Sequence, residues 1–459
     1  MRYTILVNKE NPMKESYHNK IEWVKTYNLE KKEVLVEKQS FEAYQKLQKE
    51  LWKKNIEIGI DSGYRSIEEQ EKLLEELREQ EGEEYVKKYV ALPKYSEHHT
   101  GLAIDIEILN KKGDEEENDK EWKMVHSLLS KHGFILRYPE GKEEITGYSY
   151  EPWHIRYVGI LPAKIIDENH LALEEYLKDY GCILAINKPE GITSYDVVNE
   201  ISHLYGIKRV GHTGTLDPMA TGVLLVAIGK ATKVVELLTA EDKEYIAGVK
   251  LGILTDTYDM TGKIMDQEEI KKNSSIKQVL KSFQKTYLQE VPIYSAVKVN
   301  GKKLYDYARQ KQQVELPKKE VTIKEIELLE ETKDTFQFRA LVTKGCYIRS
   351  LIKDIGMSLG TFATMTSLIR TKQGNIGIEL TNTLEEIKKN HFHSYRIEDL
   401  LDYPTITVEE ELEFKIRNGV KIKNEWNIKE KALMKNKKNQ LLGIYEKEKD
   451  LLKVWKNFI

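Results

Sequence analysis

Apolar and polar positions regroup several times along this chain, and each change of rhythm predicts a different element. Residues 67–88, IEEQEKLLEELREQEGEEYVKK, scatter a few leucines among charges and predict an exposed, charged helix. The run KKGDEEENDKE at 111–121 has no apolar period and predicts an acidic loop. Residues 157–180 predict a short turn at Pro162 and then a helix that tethers the parts on either side of it. The pattern restarts at Gly181. CILAINK predicts a strand, Pro189-Glu190-Gly191 a turn, and Thr193-Ser194 the cap of an amphipathic helix reaching Gly206. After Thr405 the alternating stretches KALMKNKK, QLLGIYEK and LLKVWKNF predict a small β-barrel. The chain has no internal repeat and no low-complexity segment.

At 459 residues the chain exceeds one ordinary core, so two or three domains are expected. No apolar run approaches the ~20 residues of a membrane helix, and the start, MRYTILVNKENPMKESYHNK, lacks the basic-then-apolar order of a secretory signal. Two distant cysteines, Cys182 and Cys346, form no CxxC pair, which predicts a reducing, cytoplasmic setting without disulfides or a thiolate metal site. The net charge of −3 conceals an asymmetry. Residues 1–180 carry 28 Lys and Arg against 37 Asp and Glu, whereas the remainder carries 44 against 38. The C-terminal part can therefore attract a polyanion that the N-terminal part would repel.

Within residues 58–158 three motifs follow in order: SGYRSIEEQ, SEHHTGLAIDI and EPWHIRYVG. His98, Asp105 and His154 would give zinc three protein ligands and leave a fourth position for water. Glu151 is placed to take that water's proton, and Arg65 to stabilise an oxyanion. A His–Asp pair alone is also a common structural contact; the ordered set is what points to a metal. This set resembles the VanY-type zinc D-alanyl-D-alanine carboxypeptidases, whose signature is SxHxxGxAxD followed by ExWH. The resemblance implies His98, Asp105 and His154 as zinc ligands, Glu151 as base and Arg65 as oxyanion stabiliser. Gln70 and Ser96 are expected to contact substrate, and His99 is expected to be a bystander, exposed or satisfied locally. The implied substrate is a small peptide ending in D-alanine.

Gly211 to Gly222, GHTGTLDPMATG, places one acid, Asp217, among small residues on a Leu-Asp-Pro turn. It is no phosphate-binding P-loop: Gly222 to Gly229-Lys230-Ala231 has the wrong spacing and no hydroxyl after the lysine. With ILAINKPEGITS, KEYIAGVKLGILTDTYDMTG, VPIYSAVKVNGKKLYDYAR, KGCYIRSLIKDIG and SLIRTKQGNI, the segment resembles the bacterial tRNA pseudouridine synthase B (TruB) family. That resemblance implies Asp217 as nucleophile or base at the ribose of uridine-55 in the tRNA T arm, Tyr245 under the base, and no cofactor for the synthase. Tyr347 and Arg349 are expected to share one face of a strand, with Arg349 pairing Asp217 and Tyr347 lying against the base. Leu368 is expected to close the pocket, with His212 and Lys188 as further substrate contacts.

The combined expectation is a multidomain fusion. Residues 1–163 form an α+β zinc peptidase domain and 164–180 a linker helix. Residues 181–400 form an α/β, mixed-sheet synthase core, and 401–459 a small β-rich, PUA-like RNA-binding tail. No methionine lies between Met124 and Met219, which favours one fused chain. A non-catalytic RNA-binding or tRNA-folding protein with a relic peptidase, or a chain whose main activity is the peptidase, are the competing readings. The sequence leaves the oligomeric state open.

Overall fold

The computed structural model describes all residues except 1, 2, 15, 16, 18–20, 111–114, 180, 206, 208, 271–274, 390, 438, 439 and 459. The chain forms two compact units. One comprises Met1–Tyr180, Ser202–Lys208 and Ile459; the other comprises Gly181–Ile201 and Arg209–Phe458.

The first unit is α+β. Its antiparallel sheet has the order Ile58–Ser62, Ala103–Ile108, His154–Tyr157, Phe134–Leu136. The helices Lys38–Trp52 and Glu115–Leu129 contribute Tyr44, Leu47, Leu51, Val125 and Leu129 to the core beneath it. The register sets Asp105 opposite His154 on one neighbour and Ser62 on the other, so the strands themselves bring the site together.

Three local expectations are corrected here. The charged helix is two, Ile67–Glu81 and Glu83–Tyr89, because Gly82 breaks it at φ +88°. The acidic stretch is helical from Glu115 onward, its first residues 111–114 lying outside the described ones. Val125 and Leu129 bury one side of that helix. Pro162 is not a turn but the third residue of the helix Ile160–Glu168, where a missing N–H costs no intrahelical bond. A separate helix, Leu173–Asp179, comes next.

The second unit is built on a mixed sheet. Its strands run in the order Thr286–Glu290, Lys318–Glu331, Thr335–Val342, Lys243–Leu251, Ala363–Gln373, Thr221–Gly229, Gly181–Lys188, Ser394–Arg396. Neighbours are antiparallel except Thr221–Gly229 beside Ala363–Gln373. The strands Gly181–Lys188 and Thr221–Gly229 are buried almost throughout, which accounts for their unbroken apolar runs. The helix Ser194–Tyr205 opens where Thr193 and Asp196 exchange side-chain and backbone hydrogen bonds.

Two expectations differ in this unit. Tyr347 and Arg349 do not alternate on a strand: the strand Thr335–Val342 ends, Gly345 turns the chain at φ +84°, and Tyr347 caps the helix Ile348–Leu359. Ile348, Leu351, Ile352, Ile355 and Leu359 are the helical stripe that decides it. The C-terminal β-rich part is an open five-stranded sheet, not a barrel. Its order is Thr405–Val408, Lys431–Asn436, Leu441–Glu448, Leu451–Asn457, Ile422–Lys423, and among the described residues its two edge strands do not pair. Ile422–Lys423 is two residues long and offers too few backbone groups to close the sheet. No helix among the described residues is long and apolar enough to cross a membrane.

One glycine in this sheet is dictated by space. Gly222 has φ +100°, and a Cβ there would lie 2.2 Å from the Arg370 carbonyl oxygen, where the parallel strands meet. Gly222→Ala is therefore expected to destabilise the second unit by about 2 kcal/mol or more. Thermal unfolding should show it as a loss of several degrees; an unchanged transition would mean the strands separate without strain.

Candidate active sites

In the first unit, the chain leaving the strand Ile58–Ser62 carries Arg65 to the start of the helix Ile67–Glu81, capped by Ser66 and Glu69. The Arg65 guanidinium donates to Gln70 Oε1 and Ser62 Oγ, both at 3.0 Å. Gln70 is used at both ends, since its Nε2 donates to the Ala91 carbonyl at 2.8 Å, so it braces Arg65. His98 lies on the short turn Glu97–Thr100, where the Ser96 hydroxyl accepts from the His98 amide at 3.3 Å. His99, expected to be exposed or locally satisfied, is buried: Nδ1 meets the Arg65 carbonyl at 2.7 Å and Nε2 accepts from the Lys94 amide at 3.1 Å.

His98, Asp105 and His154 converge. Their ligand atoms all lie within 4.8 Å of one another. His98 Nδ1 donates to the Gly63 carbonyl at 2.7 Å, which leaves Nε2 facing Asp105 Oδ2 at 3.1 Å. His154 Nδ1 lies 3.0 Å from Asp105 Oδ1, a buried oxygen that accepts no hydrogen bond. Two imidazole nitrogens aimed at an unsatisfied carboxylate are the donor set of a divalent transition metal, and the trio fits zinc. The two imidazoles differ electrostatically: burial alone would lower His154, yet the Asp105 carboxylate and its neighbours lift it to about 9, whereas burial leaves His98 lowered. Glu151, 3.7 Å from His154 Nδ1, is pushed up by burial to about 7, the range of a working general base. These groups line a cavity of about 160 Å³ with Tyr138, Tyr148, Tyr85 and Trp153 on its walls. Sequence reasoning missed Tyr138, whose ring sits 4.9 Å from that of His154, and the buried Glu97.

In the second unit, Asp217 sits on a loop between the strands Val210–His212 and Thr221–Gly229. The loop is tied on every side. Ser194 Oγ accepts from the Leu216 amide at 2.9 Å, the Gly191 amide donates to the Pro218 carbonyl at 2.8 Å, and Arg370 donates to the Gly214 carbonyl at 3.2 Å. Lys188, expected to contact substrate, is instead fully buried. Its ammonium donates to the carbonyls of Pro189, Ile192 and Pro218, which uses all three of its protons on the chain itself.

Arg349 grips Asp217 with a fork: Nε to Oδ2 at 2.9 Å and Nη2 to Oδ1 at 3.0 Å. The same guanidinium donates to the carbonyls of Thr257 and Tyr294, which no sequence signal marked. Burial raises the Asp217 carboxyl above its ordinary value, and Arg349 opposes that rise. Tyr347 precedes Arg349 at the helix start and is anchored by its amide, which donates to Gln289 Oε1 at 2.8 Å. Tyr245 and Leu368 are both buried; Tyr245 pairs with Arg370 and Ala247 with Leu368, so Tyr245 and Leu368 face the same side of the sheet. His212 ends the strand before the loop, its buried Nδ1 without a hydrogen-bond partner, and burial lowers its imidazole.

Comparison with known proteins assigns the two parts of the chain to different families. A model of the TruB family pseudouridylate synthase N-terminal domain matches residues 202–348, and one of the tRNA pseudouridylate synthase B C-terminal domain matches 349–412. The tRNA pseudouridine synthase B of Clostridium tetani is 40% identical over 272 residues, which span 58% of this chain and 92% of that protein. That of Staphylococcus saprophyticus is 42% identical over 288 residues, spanning 58% and 94%. The chain belongs to the tRNA pseudouridine synthase B family. Ahead of its TruB part, residues 33–160 match the VanY D-alanyl-D-alanine carboxypeptidase family. The solved structure of VanYB in complex with D-alanine-D-alanine is 30% identical, over 39% of this chain and 98% of that one, with a TM-score of 0.34. The chain is thus a fusion of a VanY-type carboxypeptidase domain with a TruB pseudouridine synthase.

In the TruB part, the opposing effects on Asp217 give a direct test. Arg349→Met removes the cation that opposes the desolvation of Asp217, so the carboxyl should titrate at higher pH than in the wild type. Carbon-13 NMR of labelled aspartate reads this; an unmoved or lowered titration would mean the fork contributes little to the electrostatics.

Proposed function

We propose that the TruB unit isomerises uridine-55 in the T arm of tRNA, with Asp217 as the reacting carboxylate. The observation that carries this reading is the Arg349 fork, which holds both Asp217 oxygens in a fixed plane at a loop of small residues. A uridine in a stacked loop must be extruded at a cost of a few kcal/mol. Stacking on Tyr245 offsets this by ~1–3 kcal/mol. Tyr347 lies against the extruded base, Leu368 closes the apolar wall, and His212 contacts the RNA loop. An ionised Asp217 serves equally as nucleophile toward the ribose or as the base acting on it. The basic balance of the C-terminal part supports a polyanionic partner. In this reading residues 181–400 are the catalytic domain and 401–459 an RNA-binding tail. Asp217→Asn keeps the shape and removes the reacting charge. It should abolish pseudouridine formation while tRNA affinity stays within a few-fold; turnover by this variant would remove Asp217 from the chemistry.

For the VanY-type domain, to which the expected linker after residue 163 belongs because Ile166 and Leu173 pack with Ile135 and Val158, we infer a zinc-dependent D,D-carboxypeptidase or dipeptidase. Its substrate in this reading is a small cytoplasmic peptide ending in D-alanine. The supporting observation is the convergence of His98, Asp105 and His154, whose ligand atoms lie within 4.8 Å of one another with the two imidazoles facing the two Asp105 oxygens. Zinc bound there would supply an acidified water and polarise the scissile carbonyl. Glu151 takes the proton from the attacking water and returns it to the leaving amine. Arg65, braced by Gln70 and Ser62, stabilises the oxyanion, and the cavity of about 160 Å³ receives a short substrate. Ser96 contributes the turn that aims His98. The expected result is about one zinc per chain and release of D-alanine from D-alanyl-D-alanine. Glu151→Gln should retain zinc and lose roughly 10²-fold or more in rate, whereas His154→Ala should lose the metal. A metal-free, folded wild-type protein after zinc loading would reject the reading.

A further inference from the structure

The VanY-type domain buries one carboxylate that neither the ligand trio nor the base accounts for. None of the Glu97 side chain is exposed. Its Oε1 accepts from Arg137 Nε and Arg156 Nη1, both at 2.7 Å, and both arginine side chains are themselves completely buried. Each arginine is fixed elsewhere as well. Arg137 donates through Nη1 and Nη2 to the two oxygens of Glu174, and Arg156 Nη2 donates to the carbonyls of Tyr3 and Ile5. Two guanidiniums held this way pin one Glu97 oxygen and set the direction of the other.

The other oxygen, Oε2, has no hydrogen-bond partner, and it faces His154 Nε2, which also has none, across 3.8 Å. Two buried polar atoms of complementary kind, each unsatisfied, are costly unless they meet. A shift of roughly 1 Å brings them to hydrogen-bond distance. The opposite side of the ring explains why this matters. A ligating imidazole nitrogen must carry no proton, so if Nδ1 is the ligand the ring proton resides on Nε2 and needs an acceptor. His98 is treated in the mirror sense: Nδ1 gives its proton to the Gly63 carbonyl, and Nε2 is left for the metal.

We propose that Glu97 is a positioning residue for the metal site: its free oxygen holds the Nε2 proton of His154 and so presents Nδ1 as the ligand. This rests on the zinc reading above. Outer partners of this kind orient the ring and raise its basicity, and losing one typically weakens metal binding 10–100-fold. Glu97→Gln in the full chain keeps an oxygen for the arginines and turns an amide toward His154, which disfavours the required tautomer.

The test is the zinc dissociation constant by chelator competition, with melting temperatures taken with and without zinc. Glu97→Gln should weaken zinc 10–100-fold and shrink the zinc-induced rise in melting temperature. A purely structural role would lower the metal-free melting temperature and leave the zinc affinity unchanged, which would overturn the proposal. The second measurement needs no variant: long-range nitrogen-15 NMR of the zinc-loaded wild type should show His154 protonated at Nε2 and coordinated through Nδ1. The reverse tautomer would overturn the proposal even if Glu97→Gln failed to fold. Wild-type protein that takes up no zinc would instead overturn the zinc reading itself, and this one with it.

Discussion

Arg349 meets Asp217 through two hydrogen bonds at 2.9 and 3.0 Å, and much of the TruB unit is arranged so that this fork can form. Desolvation pushes the carboxyl toward its neutral form, and the guanidinium opposes it. A fork of that geometry needs both partners on rigid supports. Arg349 stands in the first turn of the helix Ile348–Leu359, whose apolar stripe is buried, and its remaining donors are fixed by the Thr257 and Tyr294 carbonyls. Asp217 stands on a loop nailed down by Lys188, Ser194, Gly191 and Arg370. Lys188 illustrates how buried charge works here: its stem crosses the interior and its ammonium gathers three carbonyls of neighbouring turns.

The VanY-type domain meets the same constraint with the opposite outcome for its surroundings. There burial would lower His154, and Asp105, Glu97 and Glu151 together lift its imidazole to about 9. Glu97 links the two groups of charges: one oxygen accepts from Arg137 and Arg156, and the other faces His154. A buried network of this kind gives little net stability; its value lies in fixing directions.

The two units share a design despite unrelated folds. In each, strand register brings together side chains from distant segments: Asp105 opposite His154 in one, Tyr245 opposite Arg370 and Ala247 opposite Leu368 in the other. Loops carry the chemistry and strands carry the precision. The fusion therefore combines two sites whose accuracy comes from separate hydrogen-bond ladders.

Sequence by itself determined the division of the chain near Gly181, the α+β and mixed-sheet classes, the two families and the ordered motifs. These come from local chemistry: apolar runs, turn residues, and side-chain types at fixed spacing. It misjudged Tyr347 and Arg349, because a short stretch after Gly345 reads as strand until the stripe from Ile348 to Leu359 finds a surface to bury against. It misjudged the acidic segment after Glu115 for the same reason, since Val125 and Leu129 are what draw that stretch into a helix. Lys188 was expected to contact substrate, and only the tertiary fold supplied the three carbonyls that occupy it. Glu97 was silent in the sequence, at a position the motif leaves unspecified. Its partners Arg137 and Arg156 are 40 and 59 residues away, and no local rule pairs charges across such a distance. Burial decided those pairs, because in a dry interior every charge must find its partner in space, whatever its place in the chain.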